Sequence, residues 1–459
     1  MVALFALGGC PKFADDECAA NACVPAADAG ADGQATDPCA DNPTDPKCLD
    51  DSSSVFVSLS TGDPSGDGTR AHPVKTIAGG LAKLTSTKRR IFICEGTYQE
   101  QVLLDSRHTG ISLLGSLNCK WEAGGAKPVI SGSTNPLVIK DAQQTITIAD
   151  IAVQALDAVV EGNSIAAFVS SSNVSFKNVS LTAGNGAKGA DGVLVPYVTP
   201  DAGALNGNNG NGGSGGPART INCPDGMTTT GGKGGDASFN GEKGTPGTKD
   251  NAGVTPNCTT DVTGGDAPST MAALGATVIG SAGPSGWAPA AGADGATGQP
   301  GQGGGGGFGF AGGGGGGGAA GGCGGKGGAG GRGGGGSIAL LINAATVSVS
   351  SSELTTRAGG NGGKGSVGQV GQNGGFHGNG SGGACQGGNG GRGADGASGG
   401  GGAGGVTVGV FYNGSPPTID PATLPKIVNL GEAGLAGVGG SGGPNGIPGA
   451  KATVYPPLP

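Results

Sequence analysis

Two short stretches of alternating apolar and polar residues frame the chain. Thr145-Ile-Thr-Ile-Ala-Asp-Ile-Ala-Val153 and Asn173-Val-Ser-Phe-Lys-Asn-Val-Ser-Leu181 superpose at an offset of 28, placing Ile146, Ile148, Ile151 and Val153 over Val174, Phe176, Val179 and Leu181. Apolar residues at every second position predict strands with one face turned inward. The pairs Ala149-Asp150 and Lys177-Asn178 break the alternation as corners. A third copy follows at an offset of 173, where residues 337–342 repeat 164–169 and residues 346–354 repeat 173–181. Residues 406–412 and 427–430 supply further strands. Strand-corner-strand units of this kind stack so that their apolar faces form one continuous column, which predicts a solenoid.

Between these islands the period changes from two to three. Glycine occupies every third position without a break over residues 292–307, 321–336, 359–374, 387–405 and 431–449, and again over 207–216. Three is the period of polyproline II, a left-handed helix with a rise of about 3.1 Å per residue and no internal hydrogen bonds. Glycine along one edge lets neighbouring backbones approach and bond laterally. Collagen, which needs long unbroken triplets rich in proline, is excluded because these runs are short and interrupted by strands. The glycine segments leave a solenoid corner after residues 182 and 356 and return at 337 and 406. In 321–332 the triplet places Cys323, Lys326, Ala329 and Arg332 on one edge.

The start of the apolar region carries a further pattern. Val55-Phe56-Val57-Ser58 is followed by Gly62-Asp63, Asp67-Gly68-Thr69, His72-Pro73-Val74-Lys75-Thr76-Ile77, Arg90-Ile91-Phe92-Ile93 and Gly96-Thr97-Tyr98-Gln99-Glu100. This order resembles the N-terminal module that opens many pectate-lyase-like right-handed parallel β-helix proteins. The resemblance implies a solenoid start, a short helix over 77–84 capping the open end of the core, and a corner role for Tyr98.

Charge is concentrated in one place. The 459 residues carry a formal net charge of −8, and residues 15–51 hold ten carboxylates against Lys47 alone. That Asp/Ala/Pro-rich segment reads as a solvated tether. No basic stripe is left to neutralise phosphates, which argues against nucleic-acid binding. Leu7-Gly8-Gly9-Cys10, after a short apolar stretch, resembles a bacterial lipobox, which implies cleavage and lipidation at Cys10 and a membrane partner through the lipid. The other ten cysteines, Cys18, Cys23, Cys39, Cys48, Cys94, Cys119, Cys223, Cys258, Cys323 and Cys385, are even in number and suit an oxidising compartment. Pairing of sequential neighbours is the simplest expectation, so Cys323 would join Cys385 and Cys223 would join Cys258. Spacing alone leaves the connectivity open. Their arrangement offers no zinc half-sites.

Candidate chemistry is sparse. Gly212-Gly-Ser-Gly-Gly216 and Gly439-Gly-Ser-Gly-Gly443 match a nucleophile-elbow pattern without the strand and helix it needs. His72, His108 and His377 sit in turns or glycine loops with no local carboxylate to orient them. β-Helix lyases and hydrolases gather several Asp residues on one face for acid/base or calcium work, whereas the coils here offer Asp150 and Lys177 alone, and Tyr98 and Glu100 belong to the module's Gly-Thr-Tyr-x-Glu rung. Gly186-Ala-Lys-Gly-Ala-Asp-Gly-Val193 and Gly390-Gly-Arg-Gly-Ala-Asp-Gly-Ala397 approach a calcium-binding nonapeptide, but as isolated copies, whereas such sites need tandem ones.

The sequence therefore predicts an all-β chain, a right-handed parallel β-helix with inserted glycine-rich polyproline II helical bundles. Its expected parts are a lipoprotein signal and lipidated Cys at 1–10, a tether at 11–52, a β-helix with its cap at 53–182, a glycine-rich insertion at 183–336, a coil at 337–356, a second insertion at 357–405 and final strands with a glycine segment at 406–459. The expected role is a non-enzymatic, lipid-anchored platform at the outer membrane or cell surface. It binds a surface glycan or protein and calls for no cofactor, no metal and no catalytic residue. A polysaccharide lyase or hydrolase of the β-helix class is the alternative, and ice or mineral binding by a polyproline II face is a further one.

Overall fold

The computed structural model describes residues 37–42, 45 and 47–458. Three sheets of parallel strands, one of seven and two of six, form the body. The strands Ser164–Ser170, Asn173–Lys177 and Ser180–Thr182 each belong to a different sheet, so the chain visits all three sheets in one circuit. The next circuit, Ser337–Asn343, Thr346–Ser350 and Glu353–Thr356, pairs in register at Ile165↔Ile338, Val174↔Val347 and Leu181↔Leu354. The preceding one pairs at Val174↔Ile146 and Leu181↔Val153. Both sequence offsets are thus strand registers, and the arrangement is consistent with a β-solenoid. Inward residues including Ile146, Ile148, Val174, Phe176, Val347 and Leu354 merge into one core. Each such side chain contributes about 1.5–3 kcal/mol on burial.

The corners depend on left-handed backbone. Asp150, Asn178 and Ser351 hold φ of 58°, 47° and 51° at one corner, and Asp141, Ser171 and Ala344 hold 59°, 49° and 48° at the other. Short polar side chains tolerate this region better than branched ones. The corners stack through backbone bonds: Asp150 N–H donates to Lys177 O at 3.0 Å and Asn178 N–H to Ser350 O at 2.9 Å.

At the N-terminal end the helix Ile77–Ala82 sits on the core. It stops two residues before the expected Leu84 because Lys83 N–H already turns back to Gly80 O and Leu81 O as the C-cap. Thr76 caps its start, and the Glu100 carboxylate accepts Ile77 N–H at 2.8 Å and Ala78 N–H at 3.0 Å. Of the segment expected as a tether, 11–52, the described residues lie against the body. From Asp37 the chain packs on the body: Cys39, Ala40 and Cys48 are buried against Phe56, Phe92 and Leu114, and Asp37 bridges Arg90 at 2.8 Å and Ser112 at 2.7 Å. Polarity alone hid this, because a disulfide and the ion pairs of Asp37 with Arg90 and Asp41 with Lys177 anchor the segment.

All three late glycine segments leave from the same corner. They follow Ser180–Thr182, Glu353–Thr356 and Ile427–Asn429, neighbours in one sheet, and return to Ser337–Asn343, Thr407–Asn413 and Lys451–Tyr455, neighbours in another. Within them the chain is extended and bonded sideways in steps of three. Gly186, Gly189 and Gly192 donate to the carbonyls of Ala358, Asn361 and Lys364 at 2.8, 2.9 and 2.7 Å. Gly360, Gly363 and Ser366 donate in the opposite sense to Gly335, Arg332 and Ala329. The thread 314–335 uses all three registers: Gly322, Gly325 and Gly328 donate to one neighbour (Gly391, Ala394, Ala397), Gly317 and Gly335 to Asn208 and Ala187, and Gly315 and Gly318 to Gly235 and Gly232.

The lattice is tied to the body by an apolar contact. Trp287, on the antiparallel hairpin Gly280–Gly283 and Gly286–Pro289, meets the Phe411 ring edge-on at 4.6 Å, and Phe411 stacks on Tyr455 at 5.3 Å. With Ile165, Phe168, Ile338, Leu341 and Val408 they form a second core on the outer face of one sheet. Strands of that sheet are therefore buried on both faces.

Disulfides join Cys39 to Cys48 and Cys94 to Cys119, as sequential pairing expects. The other two correct it: Cys223 pairs with Cys323 and Cys258 with Cys385. The register explains why. Gly316 N–H bonds to Cys385 O, and Cys323 lies seven residues further along that extended thread, on the order of 20 Å away. A disulfide tolerates a Cα separation of at most about 7 Å. Cys10, Cys18 and Cys23 lie outside the described residues.

Candidate functional site

A half-buried titratable cluster stands at the stacked corner. The carboxylate of Asp150 accepts from Asn178 Nδ2. Lys127 Nζ reaches Asn178 Oδ1 at 3.1 Å and Ser180 Oγ at 3.5 Å. Burial raises the Asp150 pKa above the usual carboxylate range against the opposing Asn178, Lys127 and Ser116. Burial likewise lowers that of Lys127. Lys177, the partner offered by the sequence, turns away and pairs with Asp41. Asp150 and Lys177 are therefore held by different partners. The Asp150–Asn178–Lys127 chain spans successive corners, where it satisfies polar groups beside left-handed backbone.

The remaining candidates also hold structural positions. Tyr98 is buried, its hydroxyl donating to Cys94 O at 3.0 Å and accepting Leu59 N–H at 3.2 Å. Burial pushes its pKa up to about 12. Glu100 caps the helix. His108 Nδ1 accepts Asp105 N–H at 3.2 Å in a capping box, His377 Nδ1 faces Asn389 Oδ1 at 2.9 Å, and exposed His72 donates its amide to Thr69 Oγ1. The three histidines are not brought together with one another by any of these contacts. Among the described residues no three His, Cys, Asp or Glu side chains gather as a metal site.

The two nonapeptide-like segments have a different use, which a third segment shares. Lys188 and Asp191, Lys233 and Asp236, and Arg392 and Asp395 are ion pairs three residues apart. One period-three turn brings such positions onto the same edge. Each carboxylate then reaches a neighbouring thread: Asp191 accepts Lys364 N–H, Asp236 accepts Gly215 N–H and Asp395 accepts Gly371 N–H, all at 2.8 Å. The Lys188 ammonium lowers the Asp191 pKa most, whereas for Asp236 and Asp395 the amide bond is the larger cause. The signal was present in the sequence as a basic residue, glycine, a small residue and aspartate, written three times.

Clefts lie mostly along the lattice. One of about 380 Å³ surrounds the Cys258–Cys385 disulfide with Phe308. Another, of about 490 Å³, runs between Thr270 and Val367 over a floor from Arg392 to Ser398. A third, of about 480 Å³, lies between the capping helix and Leu103, with Arg107 and His108 at its rim. The lattice surface between them is lined by exposed apolar side chains at triplet spacing, such as Val367, Val370 and Phe376 on one thread and Met271 and Leu274 on another. This arrangement can present a regular, weakly charged surface. Compared with known proteins, the chain matches no family model, no curated protein and no solved structure.

Proposed function

We propose that the protein is a non-enzymatic, lipid-anchored surface platform in which a right-handed parallel β-helix carries an inserted bundle of polyproline II threads. The observation that carries this reading is the 314–335 thread, whose amides bond to neighbours in three directions. Lateral bonding of that kind makes a stiff slab from segments whose composition otherwise favours coil. Four disulfides support an exported, oxidising location. The stacked-corner use of Asp150 and the thread-to-thread use of Asp191, Asp236 and Asp395 favour scaffolding over catalysis. The anchor is Cys10, and the ligand class is a surface glycan or another surface protein.

The test combines three measurements on the full chain. Incubation with pectin and alginate is expected to yield neither unsaturated products nor new reducing ends, while a glycan and outer-membrane-protein binding screen retains at least one partner. Cys10→Ser is expected to move the protein from the membrane to the soluble fraction. Turnover of either polymer, an empty binding screen or unchanged fractionation would each overturn the corresponding part.

A further inference from the structure

The last glycine hairpin stops before its supporting walls do. Its outgoing limb, 431–440, lies in a lane between two threads. On one wall Gly359, Gly362 and Gly365 donate to the carbonyls of Glu432, Leu435 and Val438 at 2.9, 2.8 and 2.8 Å. On the other, the carbonyls of Gly405, Gly402 and Gly399 accept from Gly434, Gly437 and Gly440 at 2.9, 2.8 and 2.9 Å. The limb turns at Ser441-Gly442, and the return limb receives bonds from Gly401 and Gly404 at Pro444 and Ile447. Beyond the turn both walls continue in the same register. The next donor on the first wall is Gly368 N–H. The next groups on the second are Gly396 C=O and the amides of Ser398 and Asp395. None of these four groups bonds to another described residue, and all four residues line the 490 Å³ groove.

We propose that this groove binds an extended, unpaired chain with glycine at every third residue, seated as a continuation of the 431–449 hairpin. The hairpin itself shows what the lane requires. A Cβ added at Gly434, Gly437 or Gly440 would strike the carbonyl of Gly360, Gly363 or Ser366, so only glycine can face the wall. The carbonyl of every third residue meets the Gly368-type donors, and one triplet advances about 9 Å. The two outward positions of each triplet meet Val367 and Val370 on one flank and Ala267, Thr270 and Ala272 on the other, which suits small uncharged side chains. Arg392 and Asp395 neutralise one another. Asp395 also ends the lane by occupying Gly371 N–H. The occupant comes from a different chain, because the glycine edges of a folded second copy are already bonded within its own lattice.

The test uses full-length protein and a fluorescein-labelled (Gly-Ser-Ala)4 peptide followed by anisotropy. The control is (Ala-Ser-Ala)4. A Val367→Trp/Val370→Trp variant fills the groove mouth from two exposed positions, with circular dichroism and intact disulfides verifying its fold. Saturable binding of the glycine peptide, at least tenfold weaker for the alanine peptide and for the tryptophan variant, is expected. Absence of saturable binding, equal binding of the alanine peptide, or binding unchanged by the tryptophans overturns the proposal. Dimerisation that excludes the peptide also overturns it, by making a second copy the occupant. Membrane anchoring and glycan binding play no part in this assay, so its failure is separate from theirs.

Discussion

Replacing Gly324 with alanine isolates the lattice from everything else in the molecule. A Cβ there falls well inside 3.0 Å of the Gly298 carbonyl oxygen, and non-bonded heavy atoms need roughly 3.5 Å. The two threads must part, and their flanking bonds, Gly298 N–H to Gly325 O and Gly301 N–H to Gly322 O, both 2.9 Å, lengthen past the roughly 3.5 Å at which they cease to count. Two buried bonds left unmade cost about 1–3 kcal/mol each and forced overpacking about 1–3, offset by about 0.4–1 from the stiffer unfolded chain, for a net loss of about 2–9 kcal/mol. Gly203→Ala is the matched control, since a Cβ there meets nothing within 4 Å and is expected to be neutral or to stabilise by up to about 1 kcal/mol. Guanidinium unfolding with the disulfides intact measures the difference, and amide exchange at Gly298 and Gly301 locates it. Equal stability of the two variants, or fast exchange of those amides in the parent, would refute a bonded lattice.

Three further outcomes are expected. Non-reducing peptide mapping should recover Cys223–Cys323 and Cys258–Cys385; removing the first, which closes a separation of 100 residues, should cost about 2–5 kcal/mol, and recovery of Cys223–Cys258 would contradict the thread register. One of the four tyrosines should ionise only near pH 12; because burial raises the folded pKa, the stabilisation tied to it is complete below about pH 10 and lost as pH rises towards 12, and Tyr98→Phe should abolish that late step in a tyrosinate titration. Asp191, Asp236 and Asp395 have folded pKa values held below 3.8, so their contribution is present above that pH and lost as pH falls beneath it; the triple Asp→Asn variant should flatten the acid limb of a melting-temperature profile, and an unchanged limb would count against the carboxylate staples.

Much of the body was legible because its signals are local. The offsets of 28 and 173 became the registers Val174↔Ile146 and Val174↔Val347, since stacked coils need like residues at like heights. The corner cluster was half legible: Asp150 and Asn178 stood at the break in alternation, but Lys127 comes from a distant loop and Lys177 points to Asp41. Trp287 was not read as core because it sits alone in a glycine-rich segment, although the uninterrupted apolar runs at 165–169 and 338–342 were a signal for strands buried on both faces.

What the sequence determined by itself is periodicity: two-residue alternation makes strands that stack, and glycine at every third place makes edges thin enough for backbones to touch. Which thread meets which, in what direction and at what height, was decided only by the tertiary structure. Glycine edges are chemically alike and would accept any neighbour, so the common corner that releases and recovers every insertion, together with Trp287 against Phe411, chooses among them. Cys223, Cys258, Cys323 and Cys385 follow that choice, pairing across the register the lattice brings them to rather than with their neighbours along the chain.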